Sequence, residues 1–264
     1  MKLDEFKAIL DNPTLISGIY NYCDRWCERC HMTSRCSVFQ TTPDLDPDDF
    51  ENEEDFFKAA LGSVHDAFQL TMEMIQESAE ENNIDLDEIK ADDSWIEKRD
   101  LEQAEIRSSP LSTISWEYME MSRAWLNNSH PSLLALQENL QRTALMDLPD
   151  RNPEQGALAL KDALEVIPYY MTQIHVKLVR AQSNRGEDDA WFEENDFPKD
   201  SDGSARVALI GIDNSITAWG TFLPHLPDQE ETILSILSKL EHLRKLVESS
   251  FPKARAFKRP GFDD

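Results

Sequence analysis

The sequence predicts an all-α protein, a multi-helix bundle with an N-terminal cysteine-cluster helix-turn segment. Three observations predict it. Apolar residues recur at steps of three and four in five or six separate segments, the spacing that lines one face of a helix. No stretch alternates with period two over the length of a strand. All four cysteines of the 264-residue chain fall between Cys23 and Cys36, at spacing C-x3-C-x2-C-x5-C.

Composition sets the frame for these elements. A hydrophobic content of 40% is enough for a real core, and the reading is one helical domain over 1–264, with residues 1–40 docked on it as the cysteine segment. A net charge of −25, from 51 acidic against 26 basic residues, excludes nonspecific nucleic-acid or anionic-membrane binding by the body of the protein and leaves room for a basic protein partner. Met1-Lys2-Leu3-Asp4-Glu5-Phe6 has no apolar run after a basic start, so no signal peptide is read there, and no segment approaches the ~20 apolar residues of a membrane span. The expected compartment is the cytoplasm, where thiols stay reduced and a cysteine cluster points to metal rather than disulfides.

The first element expected is a helix from Pro13 to Cys30, because Leu15, Ile16, Ile19, Tyr20, Cys23, Cys27 and Cys30 share one face. Its Leu15, Ile16 and Ile19 side is expected to dock the segment. A continuous helix separates Cys23 from Cys30 by roughly 10 Å of rise, so it should loosen near Cys27 to Cys30. The turn formers Thr33 and Ser34 then bring Cys36 back. Residues 41–55 read as an acidic linker. Asp44, Asp46 and Asp48 alternate as in a calcium loop, but Asp49 stands where such a loop needs glycine, which leaves a plain acidic surface.

A helix follows from Asp55 to about Asn82, a bundle member with Leu61, Val64, Phe68, Met72 and Ile75 on its stripe. Asn83 to Asp100 is polar and reads as a turn and one short helix. Ser109 caps a helix from Pro110 to about Asn127, seamed by Ile114, Tyr118, Met121 and Trp125. Another runs from Pro131 to about Met146, before a Pro149–Pro153 break. The longest seam is Pro153 to Gln182, through Leu160, Leu164, Ile167, Met171, Ile174, Leu178 and Ala181, with a kink or restart expected at Pro168.

Residues 184–202 read as an acidic loop that Trp191, Phe192 and Phe197 pin to their own domain or offer to a partner. Ser204 to Phe222 is a helix with Leu209, Ile212, Ile216 and Trp219 as its seam, and Gly211 marks a close approach. Pro224 and Pro227 end it, and Glu230 to Ser249 forms the final helix. The basic tail, 251–264, carries Lys253, Arg255, Lys258 and Arg259 among aromatics, as expected of a tail folded across the protein's own acidic face.

The cysteines carry the functional reading. Four thiols this close suit one metal centre held by Cys23, Cys27, Cys30 and Cys36. Zinc wants sulfurs under ~4 Å apart and is usually built from two C-x2-C knuckles, of which Cys27 to Cys30 is one. The i,i+4 pair Cys23 and Cys27, about 5–6 Å apart at Cβ on a helix, suits the wider frame of a 4Fe-4S cluster somewhat better. The competing account makes the cysteines small core hydrophobes. Arg25, Arg29 and Arg35 among them argue for metal, since cations lower thiol pKa and offset thiolate charge. The C-x3-C-x2-C part, Cys23, Cys27 and Cys30, resembles the cluster motif of radical S-adenosylmethionine enzymes. That family has an aromatic before its last cysteine where this chain has Arg29, and its alternating strands and helices do not follow here.

A second candidate set flanks the seams: His65, Glu117, Glu165, His175 and Asp213. Inward carboxylates and histidines can hold a dinuclear metal in a helical bundle, but the paired Glu-x-x-His motifs of such sites are missing. The simpler account is flanking positions that reach solvent or ordinary structural pairing. No glycine-rich phosphate loop, nucleophile elbow or His-Glu-x-x-His motif occurs. The expected function is a cytoplasmic metal-binding protein whose centre is structural or redox-sensing and whose acidic bundle recognises a partner. The rival is an iron–sulfur redox enzyme or electron carrier with a pocket near His175 and Glu117.

Overall fold

Helix starts follow the capping chemistry of the sequence. Asn52 accepts the Asp55 N–H at 3.0 Å ahead of one helix, and Ser109 accepts the Ser112 N–H at 3.2 Å ahead of another that opens on Pro110. A computed structural model describes residues 3–43, 45–86, 93–145, 153–183 and 199–263. It is 80% helical, with nine α-helices and no strand among the described residues, and so an all-α multi-helix bundle. The helices are α1 (Leu3–Leu10), α2 (Ser37–Thr41), α3 (Glu53–Glu81), α4 (Asp93–Ser108), α5 (Pro110–Asn128), α6 (His130–Ala144), α7 (Pro153–Ser183), α8 (Asp200–Phe222) and α9 (Glu230–Ser250). No helix in the described residues is long and apolar enough to cross a membrane.

The backbone divides into two compact units, Met1–Glu97 with Pro260–Asp264, and Lys98–Arg259. In the second, α7 and α8 form the most extensive helix pair, α5 packs on α7, and α9 packs on both α8 and α5. The seam is apolar and closed: Tyr118, Ile167, Ile174, Leu178, Leu209, Ile212, Trp219, Ile233, Ile236 and Leu240 are all fully buried. Gly211 sets the α7–α8 approach, because a Cβ there would lie 3.0 Å from both Ile174 Cγ1 and Tyr170 Cδ1. Buried serines also keep the helices close. Ser115 and Ser122 return their hydroxyl protons to the carbonyls of Ser112 and Tyr118 at 3.0 and 2.9 Å, so their burial leaves no unmet donor. Trp125 stands edge-on to Trp219 at 4.8 Å, and Trp219 Nε1 donates to Tyr118 Oη at 3.4 Å.

The basic segment after α9 lies on this unit. Phe251, Ala254 and Phe257 are buried, and the Arg255 guanidinium reaches Asp213 at 2.5 and 3.3 Å and Glu248 at 2.9 Å. Arg244 adds a 3.5 Å contact to the same Asp213 carboxylate. Several expected boundaries shift. The helix at Pro153 runs unbroken through Pro168, with no restart. Residues 200–202, expected to end an acidic loop, form the first turn of α8, where Ser201 and Asp202 are buried; residues 184–198, with Trp191, Phe192 and Phe197, lie outside the described residues. The short helix expected before Asp100 is the 16-residue α4.

The first unit has a thin core. Among the described residues, all the buried apolar side chains except Ile19 and Ala79 belong to Lys98–Arg259. Here α1 packs on α2 and α3, with Lys7 paired to Glu77 and Phe50 edge-on to Phe56 at 5.6 Å. Two expectations fail in this unit. The helix over Pro13–Cys30 does not form; short 3₁₀ turns at Ile19–Asn21, Cys27–Arg29 and Thr33–Arg35 replace it. Local side chains compete with the helix: Asn12 Oδ1 accepts from the N–H and hydroxyl of Thr14, and Asp24 Oδ1 accepts the Trp26 N–H at 3.2 Å. Gly18 at φ 71° and Arg25 at φ 67° then place the chain in the left-handed region, which a right-handed helix cannot contain. The second failure is α3, whose stripe of Leu61, Val64, Phe68, Met72 and Ile75 is exposed rather than sunk in a bundle. The expected acidic linker falls partly outside the described residues at Asp44; Asp46 Oδ1 there accepts the Asp48 N–H at 3.0 Å.

Candidate metal centre

Two similar turns present the later cysteines. In each, a cysteine N–H closes a 3₁₀ turn on the carbonyl three residues back: Cys30 on Cys27 at 3.1 Å, and Cys36 on Thr33 at 3.3 Å. Arg25, left-handed, turns the chain so that its carbonyl accepts the Cys27 N–H at 2.9 Å. Cys23 stands three residues after Tyr20 and donates its thiol to that carbonyl at 3.5 Å. Cys30 Sγ accepts the Met32 N–H at 3.4 Å. Ile16 N–H to Arg35 O, 3.0 Å, ties the start of the segment to its end.

The four half-buried thiols, none in a disulfide, all line one cavity of about 20 Å³. Their proximity is electrostatic as well as geometric. Burial pushes the Cys27 thiol up from its ordinary value, and the charges of Cys23, Glu28, Cys30 and Cys36 push it further the same way. The arginines, expected to lower thiol pKa, do not reverse this. Arg29 stacks over the Trp26 ring at 3.9 Å, and Arg35 Nε turns to the Thr14 carbonyl at 3.1 Å, so only Arg25 lines the cavity. Among the described residues no group of three or more His, Cys, Asp or Glu side chains stands at metal-ligand spacing. A metal would have to draw the sulfurs together from their present positions.

Phe39 and Phe262 also line the cavity, and sequence reasoning gave neither a role. Phe262 meets His31 edge-on at 6.0 Å. Beside it Gly261 holds φ 75°, and a Cβ there would come within 2.6 Å of Ile16 Cδ1 and 3.0 Å of Met32 Cε. No local pattern reveals a partner more than two hundred residues away; an aromatic after a Pro-Gly turn is the only trace.

The second candidate set is spread out. His65 lies exposed on α3 and Glu165 exposed on α7. Glu117 pairs with Lys239 of α9 at 2.5 Å, and Asp213 is taken by Arg255 and Arg244. His175 is half-buried: its Nδ1 is 2.9 Å from Ser115 Oγ, its ring is edge-on to Trp116 at 5.4 Å, and burial lowers its pKa against the opposing pull of the Ser112 carbonyl. Ser115 already donates to Ser112, so the chain of bonds is complete with the His175 proton on Nδ1. Comparison with protein-family models, with curated proteins and with solved structures finds no match.

Proposed function

We propose that Cys23, Cys27, Cys30 and Cys36 hold a single zinc ion in a non-catalytic centre that organises the Met1–Glu97 unit of a binding protein. The observation that carries this reading is the shared cavity of the four thiols. The cavity is small, about 20 Å³, and a bound metal would draw its four thiols inward. Four thiols without a water-bearing position make a closed shell, the pattern of a structural rather than a catalytic zinc. The thin core supports the same role, because a small unit with little buried apolar surface gains most from a metal staple. Binding draws the sulfurs to within ~4 Å of one another and displaces the thiol protons.

The test is anaerobic purification followed by elemental analysis and visible absorption. The expected result is one zinc per chain and no visible band, with the zinc lost in Cys27→Ser, which removes the shared member of the Cys23 and Cys30 spacings. About four irons with a brown chromophore would replace zinc with a cluster. Neither metal, with a Cys27→Ser variant that melts like the parent, would make the cysteines ordinary core.

A further inference from the structure

Helix α3 is 29 residues long, and Ala79 is its only buried residue. Six large apolar side chains stand in the open along it: Phe57, Leu61, Val64 and Phe68 each about two-thirds exposed, Met72 and Ile75 nearly half. From Phe57 to Ile75 is eighteen residues, five turns at 3.6 residues per turn, so the stripe runs straight along the axis. Its exposed area is roughly 600 Å² per chain, as large as the biggest apolar patch on a typical monomer. Two such stripes facing each other remove about 1,200 Å², the lower edge of stable protein interfaces.

We infer that α3 is the dimerisation element of this protein, pairing antiparallel with α3 of a second copy through the stripe from Phe57 to Ile75. Two features select a second copy over another occupant. A two-fold interface must be complementary to itself. The stripe is nearly so about Asp66: Phe57 and Ile75 are equidistant from it, as are Val64 and Phe68, and Leu61 and Met72 differ by a single position. The rim is the second feature. At 100° per residue, Lys58, His65, Gln69 and Gln76 flank one side of the stripe and Ala60, Ala67 and Thr71 the other, while Asp66, Glu73 and Glu77 point away. In a chain of net charge −25 the stripe between Phe57 and Ile75 therefore carries no carboxylate border that would call for a basic partner or repel a like one. Glu53 and Glu54 border the N-terminal end of the stripe and in this arrangement come opposite the acidic Glu77 to Glu81 end of the other copy, so added salt strengthens the pair.

Sedimentation equilibrium of the full-length chain tests this. The wild type is expected to be a dimer at micromolar concentration and tighter in 0.5 M than in 0.05 M salt. Phe68→Glu, which enters the interface twice, should weaken it by about 100-fold or more and leave the helical circular dichroism unchanged. Phe57→Asp and Ile75→Lys should each be monomeric alone, and their mixture should recover a heterodimer, because only antiparallel pairing sets 57 of one copy against 75 of the other. A monomeric wild type overturns the inference, whether or not another protein or peptide binds the stripe. A dimer indifferent to Phe68→Glu, or a mixture that stays monomeric, overturns it equally.

Discussion

Gly261→Ala places a methyl group where the backbone and the neighbours both oppose it. At φ 75° an L side chain costs ~1–2 kcal/mol, and the added Cβ would lie 2.6 Å from Ile16 Cδ1 and 3.1 Å from Ile19 Cδ1. Ile19 is buried and cannot swing away, so overpacking adds ~1–3 kcal/mol. Gly18→Ala is the matched control: its φ is 71°, but the nearest atom is Asn21 Nδ2 at an ordinary 3.6 Å, which leaves the backbone cost alone. Because all four cysteines lie in this unit, the rate at which they react with a chromogenic disulfide across a urea series, in the presence of chelator, reports its opening. With a urea dependence of ~1–3 kcal/mol/M, the midpoint of Gly261→Ala should lie about 1 M below that of Gly18→Ala. Coincident curves for the two variants would refute the packing of Gly261 against the cysteine segment.

Leu240→Ala, at a fully buried position of α9, should cost ~2–5 kcal/mol in thermal or chemical unfolding; a loss below 1 kcal/mol would contradict a closed core there. His175 has its folded pKa depressed by burial, so in the range between that value and 6.5 the unfolded chain binds the extra proton. Its contribution to stability is complete above pH 6.5 and lost as pH falls from there through the lower folded value, and a stability–pH curve identical for His175→Gln and the parent would show the ring to be solvated. Arg255→Ala removes contacts to Asp213 and Glu248 at a partly exposed site and should cost ~1 kcal/mol at low salt, less at 1 M; a salt-independent loss would mean that packing, not charge, is at stake.

The helices of Lys98–Arg259 were legible because their seams face one another, so periodicity and burial coincide: Leu160, Ile167, Ile174 and Leu178 read as core and are core. The Gly211 approach and the Ser109 cap were legible for the same local reasons. At Pro13–Cys30 periodicity misled. Cysteines spaced by four and three imitate a helical stripe, while Asn12, Gly18 and Asp24 supply turns that periodicity does not weigh. In α3 the pattern was real but silent about its cover, since an amphipathic face looks alike whether its own chain or another molecule meets it. The cysteine grouping was visible as spacing, yet the aromatic wall from Phe262 was not, because a contact across the whole chain leaves no periodic mark.

The unit built from Met1–Glu97 also needs Pro260–Asp264, and that dictates an order of events during synthesis. At ~5–20 residues per second, residues 98–259 occupy the ribosome for about 10–30 s after Glu97 is made and before Gly261 and Phe262 exist. The helical unit, contiguous in the chain, can therefore fold first, which reverses the usual N-terminal precedence. Through that interval the four thiols are without the wall that Phe262 provides, open to oxidants and to stray metal ions.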